Sequence, residues 1–183
     1  MKIDRMELDE VKIKTLGDYK PESIDANIVK LVKALNYINI ETRFSCSGHT
    51  KDAKSINIYT GEEVKSRNIL GPLNNTRKEA YGTGVNGTWF YPTVTFQNTV
   101  NKNMEHFKKL LEEYNRNSDI KWEIIRLRSD REIYVLKPEG IYDISRHLRI
   151  KLPNEKELIA MWENGERLAK FIFDKTKERD ING

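Results

Sequence analysis

Three stretches of this chain repeat their apolar residues at helical spacing, and the runs between them alternate. Ile24, Ile28, Leu31, Val32, Leu35 and Ile38 make one face of a helix over 24–38. Met104, Phe107, Leu110, Leu111 and Tyr114 do the same over 101–117, and Leu158, Met161, Trp162, Leu168, Ala169, Ile172 and Phe173 over the stretch after Pro153. A helix with one apolar face must bury it, and the alternating runs supply a sheet to bury it on. Those runs are 10–15, 40–46, 55–60, 89–97, 121–128, 132–137 and 141–151. The expected fold class is therefore α+β, a single domain over 1–183 with three main helices packed on a mixed or antiparallel sheet. Local signals mark the ends. Ser23 is placed to cap the first helix, Thr99 or Asn101 the second, and Asn154 with Glu157 has capping-box spacing for the third. Pro92 places an edge or a bulge near the start of 89–97, and Pro138, Glu139 and Gly140 turn the chain after 137.

Composition narrows the class of function. The surface is very polar, with 33% charged residues, yet 38% hydrophobic residues suffice for a core. Against 28 Asp and Glu stand 32 Lys and Arg, a net charge of +4. That excess permits RNA or a small anion as a partner without demanding either. A single cysteine, Cys46, excludes an internal disulfide framework and fits a reducing compartment. The first residues lack the apolar stretch of a signal peptide, and no run approaches ~18 apolar residues. The expectation is a cytoplasmic protein with no membrane partner.

The chemistry concentrates where the run from Ile40 through Thr42 and Phe44 meets Ser45, Cys46, Ser47, Gly48 and His49. Small side chains leave backbone N–H groups approachable, and Gly48 permits a positive φ. Strand ends that open into a turn are where open sheets bind ligands. The same residues also describe a tight turn around a buried structural cysteine. Cys46 as a nucleophile would need a basic neighbour, and His49 is three residues away. His49, His106 and His147 are too scattered for a metal set, and His106 falls on the polar side of its helix, which predicts exposure. The glycine-rich stretch 61–88 carries Arg67, Arg77, Lys78, Gly82, Gly84 and Gly87. It precedes a strand, so it is not a dinucleotide fingerprint; it is either an anion-binding loop or a plain hairpin. Arg126, Arg128, Arg131, Arg146, Arg149 and Lys151 fall on expected strands, as a phosphate-binding face or a solvated one.

One family shares several of these features. Asp18, Lys20, the run Ser23, Ile24, Asp25, then Leu31, Val32, Leu35 and Asn36, then Thr42 and the core Ser45, Cys46, Ser47, Gly48 stand in that order. Pro92 to Gln97, the helix after it, and Asn117, Ser118, Asp119, Ile120 follow. This pattern resembles the third-step N-methyltransferases of tRNA wybutosine synthesis over about half the chain, in pieces. The family has Arg where this chain has His49, and Gly where it has Asp119. The resemblance implies S-adenosylmethionine as cofactor and an RNA base as substrate. It implies that Asp25 and Ser45 position the base and that backbone near Gly48 holds the cofactor.

Two functional expectations result. The first is binding, including sequestration, of a nucleotide-like or phosphate-bearing small ligand, as a phage or bacterial signal-binding protein would do. Its pocket would lie between the 45–49 turn, the 76–88 loop and the start of the first helix. Its residues would be Asp25, Ser45, Cys46, Ser47, Gly48, His49, Arg77, Lys78, Gly82 and Gly84. The second is S-adenosylmethionine-dependent methylation of a tRNA base.

Overall fold

The computed structural model describes residues 6–14, 24–46, 48, 54–56, 63–65, 91–97, 100–126, 132–139 and 154–182. The fold is α+β, with three α-helices and antiparallel strands among the described residues. Helix α1 is Val29–Tyr37, α2 is Asn101–Asn115 and α3 is Glu155–Asn182. Strands β1 (Thr42–Cys46), β4 (Thr93–Gln97), β6 (Ile133–Pro138) and β5 (Trp122–Arg126) form one sheet in the order β1-β4-β6-β5. A separate two-stranded antiparallel sheet pairs β2 (Lys54–Ile56) with β3 (Glu63–Lys65). The expected helical faces are the buried ones. Leu31, Val32 and Leu35 of α1, Met104, Phe107 and Leu110 of α2, and Leu168 and Ile172 of α3 converge on Val94, Phe96 and Leu136 of the sheet. Phe96 is fully buried at the centre, 6.1 Å from the Phe107 ring and 5.6 Å from the Tyr134 ring.

Helix ends follow their local chemistry in one case and not in two. Asn154 and Glu157 close the capping box before α3, with the Glu157 N–H donating to Asn154 Oδ1 at 2.8 Å and the Asn154 N–H to Glu157 Oε2 at 2.9 Å. Helix α1 starts at Val29, not at Ile24, because the Ile28 N–H donates back to the Asp25 carbonyl and closes a turn over Asp25–Ile28. The Ser23 cap falls outside the described residues. Val100 is the N-cap of α2, with no side-chain cap, so Asn101 is its first residue and not its cap.

Strand expectations are corrected in two places. Residues 10–14 are not a strand. Glu10 ends a 3-10 turn, Leu8–Glu10, and Val11 to Lys14 are irregular. Their alternation reflects packing on helices: Val11 is buried, Ile13 packs against the core, and the Lys14 N–H donates to Asn36 Oδ1 on α1. Strand β4 is not an edge. Pro92 lies just before it, where its missing N–H interrupts no ladder, and the bulge is in β1 instead. The strand expected over 141–151 falls outside the described residues.

That bulge decides what each residue of β1 faces. Thr42 pairs with Phe96 but Phe44 with Thr95, so β1 holds one extra residue there. Beyond it Ser45 is level with Val94 and Cys46 with Thr93. Simple alternation from Ile40 and Thr42 would have put Cys46 on the helix-covered face with Val94. The extra residue puts Ser45 there and moves Cys46 to the opposite face.

Buried polar groups weld the far end of the sheet to the helices. Asn164 of α3 accepts the Trp122 indole N–H at 2.8 Å and the Tyr114 hydroxyl at 3.0 Å, and donates to Ser118 Oγ at 3.0 Å. Asn115 clasps the Trp122 backbone from the other side, donating to its carbonyl and accepting its N–H. The neighbouring Gly165 lets α3 lie against the Trp122 ring, where an added Cβ would sit at 3.4 Å.

His106 is a further correction. It is half-buried, and its Nε2 shares a 3.2 Å hydrogen bond with Thr176 Oγ1, tying α2 to α3. Burial lowers its pKa; Arg179 and Lys109 act in the same direction and Asp180 opposes them. The unfolded chain therefore binds a proton on His106 at a higher pH than the folded chain does. The stabilisation this gives is complete above the ordinary value of 6.5 and declines as pH falls below it. In urea melts, the stability difference between the wild type and His106→Gln should shrink from pH 7.5 to pH 5. A difference independent of pH would show that the neutral imidazole is not what the fold selects.

Candidate functional site

The face of the sheet away from the helical core is buried over most of β4 and half-buried along β5. Thr95 and Val135 are closed to solvent on it, and at one end lies a polar row. Cys46 on β1 is level with Thr93 on β4. Continuing the β4–β6 register past Val94 and Leu136 brings Lys137 level with Thr93. Lys137 in turn pairs with Glu123 on β5. One row thus crosses all four strands with a thiol, a hydroxyl, an ammonium and a carboxylate, at interstrand steps of about 4.8 Å.

The row is unusual in its burial. Thr93 is 1% exposed and Lys137 2% exposed. Lys137 forms a salt bridge with Glu123 Oε1 and donates to the Pro138 carbonyl at 3.3 Å. Among the described residues its third N–H has no acceptor, and the second oxygen of Glu123 is not used in the pair. Among the described residues Thr93 Oγ1 has no hydrogen-bond partner. Glu123, about one third exposed, opens the row toward solvent. A buried hydroxyl without a partner costs about 1–3 kcal/mol, so its presence calls for an explanation.

Beside the row, the Ser45–His49 turn is represented by Ser45, Cys46 and Gly48. Ser45 and Cys46 are buried. Gly48 takes φ 85°, a conformation that favours glycine, and its N–H donates to Cys46 Sγ at 3.4 Å. The thiol is therefore an acceptor in a closed turn, which fits the structural reading of this cysteine better than a solvent-facing nucleophile. Asp25 lies in the turn that precedes α1, half-buried. Ser47, His49, Arg77, Lys78, Gly82 and Gly84 lie outside the described residues, as do Arg128, Arg131, Arg146, Arg149 and Lys151. Arg126 is exposed at the end of edge strand β5, level with Tyr134.

Thr93, Lys137 and Glu123 were not among the residues singled out by sequence. One signal was available. The run Ile133, Tyr134, Val135, Leu136 is apolar at every position, a pattern found in strands covered on both faces, and Lys137 continues it.

A second concavity lies on the helical side, a cleft of about 560 Å³ between the 3-10 turn, α1 and α3. Leu8 and Phe173 line it, and Lys30 and Glu166 pair within it at 2.9 Å. Among the described residues no three His, Cys, Asp or Glu side chains are grouped to hold a metal ion, and no helix is long and apolar enough to cross a membrane.

No protein-family model, no curated protein and no solved structure matches this chain.

Proposed function

We propose that the protein binds a nucleotide-like small ligand at the Cys46 end of the sheet, between the polar row and the Ser45–His49 turn. The observation that carries this reading is Thr93 Oγ1, a fully buried hydroxyl without a partner, standing between a buried thiol and a buried ammonium with an N–H to spare. A hydroxyl that hydrogen-bonds only in the bound state explains the residue. Gly48 supports the reading by keeping the adjoining turn free of a side chain. Sequestration, as opposed to turnover, needs one closed site and slow release.

Two experiments test it. Mass spectrometry of small molecules released by heat from the purified protein should find a heteroaromatic, phosphate-bearing compound. Release of S-adenosylmethionine would turn the reading toward methyl transfer. Substitution gives an independent check. Thr42 Oγ1 is likewise buried without a partner, but it is level with Phe96 on the helix-covered face. Thr42→Val and Thr93→Val should each stabilise the empty protein by about 1 kcal/mol, because each removes an unsatisfied hydroxyl. Only Thr93→Val should weaken retention of the released compound. Equal retention by both variants, or no compound and no binding of any nucleotide, defeats the proposal.

A further inference from the structure

We propose that Asn164 and Gly165 form a deamidation site, shut in the folded protein and open in the unfolded chain, and that its reaction ends refolding. The inference goes beyond ligand binding and is independent of it.

Asparagine followed by glycine is the dipeptide most prone to spontaneous deamidation, because no Cβ on the second residue hinders its backbone nitrogen. The Gly165 nitrogen bonds to Asn164 Cγ, the Cγ–Nδ2 bond breaks, and ammonia leaves with the proton of the Gly165 N–H. Water then opens the succinimide ring at either carbonyl, giving aspartate or isoaspartate. The chain holds three such pairs, Asn86 with Gly87, Asn164 with Gly165 and Asn182 with Gly183.

The middle pair lies in the interior of α3, and the fold holds both reacting groups. In a helix the Gly165 N–H is committed to the carbonyl four residues back. The carboxamide is fixed as well. Its Oδ1 accepts from the Trp122 indole and the Tyr114 hydroxyl, and its Nδ2 donates to Ser118 Oγ. Asn164 is 1% exposed, so water does not reach it. Freeing the pair requires α3 to unwind where Leu168, Ala169 and Ile172 enter the core. Reaction in the folded protein therefore tracks the small population of opened molecules. Both residues also serve Trp122. Asn164 accepts its indole N–H, and Gly165 leaves room for its ring, where an added Cβ would stand 3.4 Å from Cζ2. That accounts for glycine inside a helix, where it is disfavoured relative to alanine.

The products do not fit the same place. Aspartate sets a carboxylate in a buried position, loses the donor to Ser118, and meets no cation among Trp122, Tyr114 and Ser118, the side chains that hydrogen-bond the carboxamide. Isoaspartate adds a carbon to the main chain and breaks the helical ladder. A chain that reacts at 164 while unfolded is thereby lost, which is a chemical route to irreversible unfolding.

The test holds the full-length protein in denaturing urea at neutral pH, with a second sample in native buffer. Aliquots are returned to native buffer over several days. Size exclusion separates refolded from unrefolded chains, and peptide mapping locates the conversions. In urea all three asparagines should convert, and the yield of refolding should fall in step with conversion at 164. The refolded fraction should keep Asn164 intact, whatever the state of Asn86 and Asn182. In native buffer Asn164 should stay unconverted over the same period. Gly165→Ala should lose refolding competence about tenfold more slowly than the wild type, because its Cβ hinders the attacking nitrogen. The comparison of fractions needs no variant, so it stands even if Gly165→Ala fails to fold. Converted Asn164 as common in refolded as in unrefolded chains overturns the inference. So does conversion at 164 in native buffer at the rate seen in urea, or a refolding yield that follows Asn86 or Asn182 instead.

Discussion

Asn164→Leu is expected to lower the stability of the fold by about 3 kcal/mol in urea or thermal melts. Asn164 is 1% exposed, and its carboxamide serves three partners on α2, β5 and the segment between them. Leucine has a similar volume, so the cost is one of stranded polar groups and not of a cavity. The Trp122 indole N–H is buried and loses its acceptor, and a stranded donor of this kind costs about 1–3 kcal/mol. Ser118 Oγ loses a donor but keeps its own bond to the Ile120 carbonyl, so its share is smaller. Tyr114 keeps a second acceptor, the Asn164 backbone carbonyl at 3.0 Å. Tyr114→Phe should accordingly cost no more than about 1 kcal/mol. If Asn164→Leu costs less than Tyr114→Phe, then apolar packing of Trp122 against Gly165, not the amide network, docks α3 on β5.

The buried pair should respond asymmetrically. Glu123→Ala leaves the Lys137 ammonium 2% exposed with only the Pro138 carbonyl as a partner. Removing one partner of a buried pair costs about 3–5 kcal/mol, and partial exposure of Glu123 argues for the low end. Lys137→Met leaves the carboxylate alone, but about a third of that side chain already meets water. Its expected cost is under 1 kcal/mol, because methionine fills the lysine stem's volume and the carboxylate can hydrate. Chemical denaturation of the two variants at neutral pH decides the matter. Equal costs would mean that the lysine reaches solvent in solution and that the row is open.

Much of the fold can be read from local pattern. The apolar period over 24–38, 101–117 and the last helix places three helices, because a helical face is a property of residues three and four apart. The Asn154 and Glu157 capping box is likewise local, and it starts α3 where expected. Alternation is a weaker guide. At residues 10–14 it describes a segment that packs on α1 without a neighbouring strand. His106 is polar by its place on the helix, yet it is drawn inward by a partner seventy residues away.

The candidate site divides the same way. Of the run Ser45, Cys46, Ser47, Gly48, His49, the first two end strand β1, and Gly48 takes the positive φ that its sequence permits. Thr93, Lys137 and Glu123 belong to three strands that nothing in the chain's order brings level. Their meeting depends on the register of β4 with β6 and of β6 with β5. That Cys46 shares their face depends on one extra residue in β1. Periodicity within the chain determines which residues form helices and which form strands, since those preferences act over a few residues. Register, bulge and sheet face are set by contacts between segments distant in sequence, so only the assembled tertiary structure decides that four scattered polar residues become one row.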